Sequence, residues 1–224
     1  MRSSLPPTCF ISPLRNRFRH LSTALPQNKS IRRLKIGITG KFASGKSEVL
    51  KIFSESGFFV CSADEIAHML LERGNPVSGE VLNIFGSGIL DTMGYISRQK
   101  LGELVFNSES AMRKLENIMH PSIKSEMKKI LDAHPLCAAE NALLFKMGMR
   151  GCFDRIILVR CSDPQREKNI AERVISPALA KNISFFQEDG FYPGAAADFI
   201  IENSGGLAAL RKKTKNLINS LLNE

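Results

Sequence analysis

A glycine-rich loop near residue 40 constrains the fold of this chain more than any other feature. Residues 40–47 read Gly-Lys-Phe-Ala-Ser-Gly-Lys-Ser and fit the pattern G-x-x-x-x-G-K-[ST]. The apolar run over 34–39 predicts a buried β-strand before the loop, and apolar residues at helical spacing over 47–56 predict a helix after it. This is the context in which such loops hold the phosphates of a nucleoside triphosphate. The alternative is a chance match in a glycine turn.

The residues of this loop suit phosphate chemistry for separate physical reasons. Glycines let the backbone curl so that successive N–H groups point at phosphate oxygens, and the N-terminus of the following helix adds partial positive charge. The ammonium of Lys46 can reach the β- and γ-phosphates, and the hydroxyl of Ser47 can take a coordination site of Mg²⁺. The motif by itself does not specify which molecule accepts a phosphoryl group, or whether one does.

Apolar runs and helical stripes alternate along the rest of the chain. Strands are predicted over 58–62, 137–145, 154–160 and 198–202. Helices are predicted over 63–72, most of 78–131, 163–187 and 207–222. Strands that alternate with helices indicate an α/β protein with a parallel sheet flanked by helices on both faces. With the loop described above, this order predicts the P-loop NTPase or kinase fold.

Two acidic residues are candidates for the chemistry. Asp64 follows the second predicted strand, at the edge of a parallel sheet where ligands bind, and could accept a proton from an attacking hydroxyl or orient it. The alternative is an acid at a helix N-terminus, which the helix dipole favours. Glu140 lies in the third predicted strand and could hold the Mg²⁺ shell through water. Its alternative is a surface acid on a strand.

Several basic residues near the C-terminal third are weaker candidates. Arg166, Lys168 and Arg173 lie on a charged helical segment and could close over the phosphates to neutralise developing charge. The alternative is a solvated helix face. His120 stands before Pro121, and a lone histidine there indicates a structural role, with the proline marking a break between two helices.

The net charge of +9 is concentrated in the first 33 residues. Seven of the 31 basic residues and no acid lie there, which leaves 24 basic and 22 acidic residues over 34–224, a net charge of +2. We therefore expect no nucleic-acid partner. Residues 1–33 are expected to be a disordered basic extension, a start codon assigned too early, or an organellar transit peptide. We expect a cytoplasmic protein unless the extension is a targeting signal.

Other compositional features also bound the class of protein. No run of about 18 or more apolar residues is present, so no membrane-spanning helix is expected. The five cysteines form no metal-binding spacing and are expected to be reduced thiols in an intracellular protein. Cys61 and Cys161 lie in or beside apolar runs and are expected to be buried.

Taken in order, these features resemble the dephospho-coenzyme A kinase family over residues 34–224. Beyond the loop, the resemblance rests on several segments in the same order and spacing: Ser-Ala-Asp-Glu-Ile-Ala at 62–67, Phe-Gly at 85–86, Ile-Leu-Asp at 89–91, Gly94, Arg98, Leu-Glu at 115–116, His-Pro at 120–121, Leu-Leu-Phe at 143–145, Phe-Asp at 153–154, Ala-Asp at 197–198 and Asn-Ser-Gly at 203–205. No one of these segments is specific alone, whereas their order is.

The resemblance implies transfer of the γ-phosphoryl group of ATP to the ribose 3′-hydroxyl of dephospho-coenzyme A. The base of the family matches Asp64, and Lys46 would assist catalysis. The loop residues Ala43, Ser44, Gly45, Lys46, Ser47 and Glu48 would cradle ATP, and Ser47 and Glu140 would serve Mg²⁺. A mostly helical insertion, about 65–131, would hold the acceptor, and a lid would span about 162–195.

The chain departs from the family pattern at several positions. Ser62 and Ala43 stand where aspartate and glycine are usual, and Lys41 also replaces a glycine. Lys146 replaces an acid near the expected site. A gapless alignment places Lys168 and Glu172 where lid arginines are expected.

Two other functions remain compatible with the sequence. One is a different small P-loop kinase that acts on a nucleoside monophosphate or small metabolite. The other is a degenerate nucleotide-binding protein with a regulatory or scaffolding role, which Lys146 and the altered lid favour. The retained Lys46, Ser47 and Asp64 oppose this second alternative.

Overall fold

A five-stranded parallel β-sheet organises the chain. A computed structural model describes residues 33–172 and 196–223. In sequence order the strands are β1 (Leu34–Thr39), β2 (Phe59–Ser62), β3 (Leu136–Glu140), β4 (Arg155–Arg160) and β5 (Phe199–Glu202). Across the sheet their order is β2-β3-β1-β4-β5, and every neighbouring pair is parallel. The predicted α/β class is confirmed.

Seven α-helices accompany the strands in the described residues. They are α1 (Lys46–Glu55), α2 (Ala63–Leu70), α3 (Pro76–Phe85), α4 (Arg98–Phe106), α5 (Glu109–Ala133), α6 (Asp163–Ala171) and α7 (Gly206–Asn223). None of these helices combines the length and the apolarity that a membrane crossing requires. Four of them, α2 to α5, lie between β2 and β3, in the segment predicted as a helical insertion.

Two hydrophobic cores sandwich the sheet. One core packs α1 and α7 against one face, with Ile36, Ile38 and Phe53 fully buried. The other packs α2 to α5 against the opposite face, around residues such as Val81, Met127 and Ile156. Because both faces of the central strands are covered, these strands read as nearly continuous apolar runs in the sequence.

The third strand is shorter than predicted. The sequence predicts a strand over 137–145, but β3 ends at Glu140 and the chain turns at Asn141. The side-chain oxygen of Asn141 accepts a hydrogen bond from the backbone N–H of Leu143 at 2.8 Å. Such a turn competes with the strand conformation, and it explains why the apolar residues 143–145 leave the sheet.

The predicted helix break at Pro121 is wrong. Helix α5 runs without interruption from Glu109 to Ala133 and contains the proline. Its buried residues continue at helical spacing on both sides, with Ile118 and Met119 before the proline and Ile123 and Met127 after it. Burial of this stripe offsets the lost backbone hydrogen bond, which costs about 3 kcal/mol in a helix interior.

Two regions of the sequence-based organisation lie outside the described residues. The chain divides into a unit at Met1–Ser30 and a second unit at Ile31–Glu224. The first unit, and residues 173–195 in the second, are not described. The extension over 1–33 and the lid over 162–195 therefore stay predictions, although α6 supplies the predicted helix over the first part of the lid segment.

Candidate active site

The glycine-rich loop lies at the carboxyl edge of the sheet, between β1 and α1. Gly40 and Gly45 adopt positive φ angles of 151° and 104°. A Cβ on Gly40 would lie 2.3 Å from the carbonyl oxygen of Val159, so glycine alone fits where the loop passes β4. Helix α1 starts at Lys46, and its N-terminus therefore faces the loop with its partial positive charge.

Lys46 and Glu140 meet beside this loop. The ammonium of Lys46 donates a hydrogen bond to the carbonyl of Lys41 at 3.1 Å, and its Nζ lies 3.9 Å from Oε1 of Glu140. Both side chains are largely buried, with 8% and 12% of their surface exposed. The structure thus brings together two residues that are 94 positions apart in the sequence and were predicted separately.

Asp64 approaches the loop from the end of β2. Ser62 caps α2, because its hydroxyl accepts a hydrogen bond from the backbone N–H of Glu65 at 3.1 Å. This cap places Asp64 in the first turn of α2, with its side chain exposed. Serine and aspartate are both good N-cap residues, so the serine at position 62 keeps the start of this helix in place.

One small cavity joins most of the predicted site residues, although Ser44 and Glu48 do not line it. Its volume is about 50 Å³, and the residues that line it come from the loop, the end of β2 and the end of β3: Phe42, Ala43, Gly45, Lys46, Ser47, Ser62, Ala63, Asp64, Glu140, Asn141 and Ala142. It therefore gathers the ammonium of Lys46, two serine hydroxyls and two carboxylates. This combination is suited to phosphoryl transfer to an alcohol.

A larger cavity of about 530 Å³ lies on the other side of the loop. It is lined by residues of the loop, α1, α6 and the segment after β5, namely Ala43, Gly45, Ser47, Glu48, Gln165, Lys168, Asn169, Glu172, Asn203, Gly206, Leu207 and Leu210. Its volume lies in the range of small-molecule sites. Because Ala43, Gly45 and Ser47 line both cavities, one molecule held by the loop can extend into both.

Comparison with known proteins decides the family. The sequence profile of dephospho-CoA kinase matches residues 34–209. The chain belongs to the dephospho-CoA kinase family. Members of this family are transferases that catalyse the final step of coenzyme A synthesis. Membership of a kinase family implies that ATP is a substrate. The predicted family and its class of enzyme are confirmed.

Individual relatives agree with this family. A dephospho-CoA kinase from Aquifex aeolicus is 33% identical over 195 residues, which cover 84% of this chain and 97% of that protein. One from Methylococcus capsulatus is 34% identical over 187 residues, covering 82% and 94%. Among solved structures, dephospho-CoA kinase from Campylobacter jejuni matches with a TM-score of 0.56 at 26% identity, and TT1252 from Thermus thermophilus with 0.65 at 26%. Each match covers 85% of this chain and 98% of the other.

The structure gives a physical account of two departures from the family pattern. Ala43 has a φ of 60° and is the one non-glycine residue with a positive φ in the described residues, which costs roughly 1–3 kcal/mol. Lys146 does not line the small cavity. Its ammonium lies 2.7 Å from Oε1 of Glu116 on α5, and the side chains are 29% and 17% exposed. The positive charge that replaces the acid of the dephospho-CoA kinase pattern is therefore paired.

His120 lies beside this ion pair. Burial lowers the pKa of its imidazole, while the negative charge of Glu116 raises it and the positive charge of Lys146 lowers it further. Like Lys146, His120 does not line the small cavity. The structural role that the sequence predicts for His120 stays a prediction.

The basic candidates of α6 are divided by the structure. Lys168 lines the larger cavity, whereas Arg166 does not. The Nε atom of Arg166 is buried without a hydrogen-bond partner, and its guanidinium lies 3.3 Å from Asp163. The third candidate, Arg173, lies outside the described residues. Arg166 and Lys168 thus occupy different surroundings, and the role of all three residues at the phosphates stays a prediction.

The thiol of Cys161 is influenced by the charges of Arg166 and Lys46. Burial raises the pKa of its thiol, and the positive charges of these two residues oppose the rise. Cys161 is half-buried and not fully buried as predicted, because it follows the last residue of β4 at the edge of the sheet. Cys61 is buried as predicted, and a hydrogen bond with Cys137 is the main cause that raises the pKa of its thiol. The four cysteines of the described residues, 61, 137, 152 and 161, are free thiols.

Sequence reasoning did not predict that two asparagines contact the loop, although Asn203 belongs to a segment on which the family resemblance rests. The side-chain amide of Asn203 donates to the carbonyl of Ser44 at 3.0 Å, and that of Asn169 donates to the carbonyl of Ala43 at 2.8 Å. Asn203 directly follows β5, so its position after a parallel strand was a usable signal. Asn169 lies within a charged helical run, where no local pattern distinguishes it from a solvated residue.

Proposed function

We propose that this chain transfers the γ-phosphoryl group of ATP to the ribose 3′-hydroxyl of dephospho-CoA. The observation that carries the proposal is the small cavity, in which Asp64 faces the same space as Lys46 and Ser47 of the loop. A carboxylate and a lysine ammonium therefore line one space, which would hold the transferred group in this proposal. Family membership supplies the acceptor.

The loop is the proposed holder of the ATP phosphates. Backbone N–H groups over residues 43–48 and the ammonium of Lys46 would bind phosphate oxygens. The larger cavity next to the loop offers room for the nucleoside. The ammonium of Lys46 already lies near a carbonyl and a carboxylate, so its charge is held in place before any phosphate binds. A preorganised charge stabilises the transferring group without a reorganisation cost.

Ser47 and Glu140 are the residues that would hold Mg²⁺ beside the phosphates. They supply a hydroxyl and a carboxylate, which are the hard oxygen ligands that Mg²⁺ prefers. Among the described residues no group of three or more His, Cys, Asp or Glu side chains could hold a metal ion. That sparse donor set fits Mg²⁺, which is usually bound by one or two carboxylates together with substrate phosphates and water. When bound, the ion would neutralise charge on the β- and γ-phosphates.

Asp64 is the proposed proton acceptor. A ribose hydroxyl is a weak nucleophile at neutral pH, and a carboxylate within hydrogen-bond reach can orient it and take its proton. Asp64 is exposed in the first turn of α2, so an incoming hydroxyl can reach it from solvent. Helices α2 to α5 pack on this side of the sheet and would provide the surface for the remainder of the acceptor.

The first test is a coupled ADP-release assay on the full chain with Mg²⁺, ATP and dephospho-CoA. We expect ADP release that depends on the acceptor, with coenzyme A identified by mass. Nucleoside monophosphates and dephospho-CoA with its 3′-hydroxyl removed serve as acceptor controls. Release with a nucleoside monophosphate alone would show a different kinase, and ATP binding without any turnover would show a degenerate site.

A further inference from the structure

The glycine-rich loop contains a strained residue whose carbonyl accepts a hydrogen bond from a side chain outside the loop. Ala43 is buried, with 3% of its surface exposed, and its φ of 60° lies in the left-handed region. Alanine adopts this conformation at a cost that glycine does not have. Such strain persists only where surrounding contacts hold the residue in place.

The contact that holds Ala43 comes from α6. The side-chain nitrogen Nδ2 of Asn169 donates a hydrogen bond to the carbonyl of Ala43 at 2.8 Å. The Oδ1 atom of the same amide accepts a hydrogen bond from Nε2 of Gln165, one helical turn earlier, at 2.9 Å. Because Gln165 engages the oxygen end, the nitrogen end of Asn169 is directed at the loop.

A second amide acts on the next carbonyl of the loop. Nδ2 of Asn203 donates to the carbonyl of Ser44 at 3.0 Å, and a Cβ on Gly45 would lie 2.5 Å from that nitrogen. In a trans peptide the C=O and the following N–H point in opposite directions. Amides that hold these two successive carbonyls therefore fix the orientations of the peptide units that follow Ala43 and Ser44. The N–H of Ser44 donates to the carbonyl of Lys41 at 3.2 Å within the loop, and the N–H of Gly45 points away from Asn203.

We propose that Asn169 is a positioning residue for the phosphates of ATP. It fixes the left-handed conformation of Ala43 and so keeps the loop in the shape that binds phosphate before the nucleotide arrives. It also ties the loop to α6, whose face formed by Gln165, Lys168, Asn169 and Glu172 lines the larger cavity. This inference rests on the proposed use of the loop as the ATP site. It assigns a role to a residue that lies outside the segments on which the family resemblance rests.

The decisive experiment compares Asn169→Ala with the same substitution in an Ala43→Gly background. Binding of an ATP analogue with an imido bridge between its β- and γ-phosphates is measured by calorimetry on the full chain, without an acceptor. We expect about tenfold weaker binding for Asn169→Ala, the effect of one lost hydrogen bond. Ala43→Gly should restore binding to within about threefold of the parent, because glycine needs no contact to adopt a positive φ.

Two further variants separate the hydrogen bond from the stability of the helix. Asn169→Asp keeps the size of the side chain and the acceptor for Gln165 but cannot donate, so we expect a loss like that of Asn169→Ala. Glu167→Ala changes an exposed residue of the same helix that does not line the larger cavity, and it should bind the analogue like the parent. In turnover assays the KM for ATP should rise in both Asn169 variants, with the KM for dephospho-CoA unchanged.

The outcomes are distinguishable from a failure of the proposed function. Parental binding in Asn169→Asp overturns the inference. A loss that Ala43→Gly does not rescue also overturns it, because the asparagine would then act on the helix and not on the loop. If the parent binds the analogue but does not phosphorylate dephospho-CoA, the proposed acceptor fails while the rescue still tests the role of Asn169.

Discussion

Two lysine–glutamate pairs in this protein differ in the distance between their charged atoms and in their position relative to the small cavity. Lys46 and Glu140 line the small cavity, with Nζ and Oε1 3.9 Å apart. Lys146 and Glu116 join the segment after β3 to α5, with their charged atoms 2.7 Å apart. Lys46 also donates a hydrogen bond to the carbonyl of Lys41 at 3.1 Å, so its ammonium is held beside the cavity. The first pair therefore lies where a substrate would bind, and the second joins two parts of the scaffold.

This difference changes how the charge reversal at position 146 is understood. From the sequence, a lysine in place of an acid suggested a damaged active site. In the structure Glu116 neutralises that lysine away from the small cavity. The pair in the cavity contains the lysine and the acid proposed for phosphoryl transfer. The predictions below test whether the two pairs are separate in function.

Replacing Lys46 should have the largest effect. We expect Lys46→Ala to lower kcat/KM by at least about 10³-fold, because it removes both a ground-state phosphate contact and the charge that stabilises the transition state. Binding of ATP measured by calorimetry should weaken as well. Lys146→Ala is the matched control, and equal losses in the two variants would contradict the separation of the pairs.

Asp64→Asn should lower turnover and spare nucleotide binding. Removal of a general base costs about 10²–10⁴-fold in rate, and the amide keeps the size of the side chain. We expect kcat to fall within that range while the dissociation constant for ATP stays at the parental value. Glu65→Gln, on the next residue of α2 and absent from the cavity lining, is the control. Unchanged kcat in Asp64→Asn would remove this residue from the mechanism.

Glu140→Gln should raise the Mg²⁺ concentration that activity requires. Loss of a group that holds the ion directly or through water weakens metal binding by about 10–100-fold. A titration of kcat with Mg²⁺ at saturating ATP measures this shift. If the Mg²⁺ dependence is parental while kcat falls, Glu140 acts through Lys46 and not on the metal.

Lys146→Glu should weaken folding and leave the chemistry intact. It places two carboxylates side by side in a partly buried position, and we expect the free energy of unfolding to fall by about 1–2 kcal/mol, between the values for exposed and buried pairs. Denaturant unfolding measures this change. Glu116→Lys added to Lys146→Glu restores opposite charges and should recover part of the loss. A rise in kcat for Lys146→Glu would show instead that the acid of the family pattern belongs to the active site.

The smallest effect concerns pH. Burial is the main cause that lowers the pKa of His120 below its usual value of 6.5, so the unfolded chain takes up this proton before the folded chain does. Stability from this residue is complete above about pH 6.5 and is lost as the pH falls toward the folded-state pKa. His120→Gln should flatten this part of the curve of unfolding free energy against pH. Burial also lowers the pKa of His134, so part of the slope should persist in His120→Gln.

The sequence by itself determined the strand–loop–helix unit around residues 34–55, the alternation of strands and helices, and the family. These follow from local information: glycines at fixed spacing, apolar periodicity, and polar residues directly after strands such as Asp64. The ends of elements are harder to predict than the elements themselves. At β3, the side chain of Asn141 turns the chain before the apolar run is finished. At Pro121, packing on both sides of the residue outweighed its local preference.

Only the tertiary structure decided which residues meet. Lys46 and Glu140, Lys146 and Glu116, and Asn169 and Ala43 are pairs separated by 94, 30 and 126 positions. No local pattern encodes such contacts, because they depend on the order of parallel strands and on how helices lie across them. The residue types of the site follow local patterns and were therefore predictable. The partner of Lys146 and the role proposed for Asn169 depend on long-range contacts and emerged only from the folded chain.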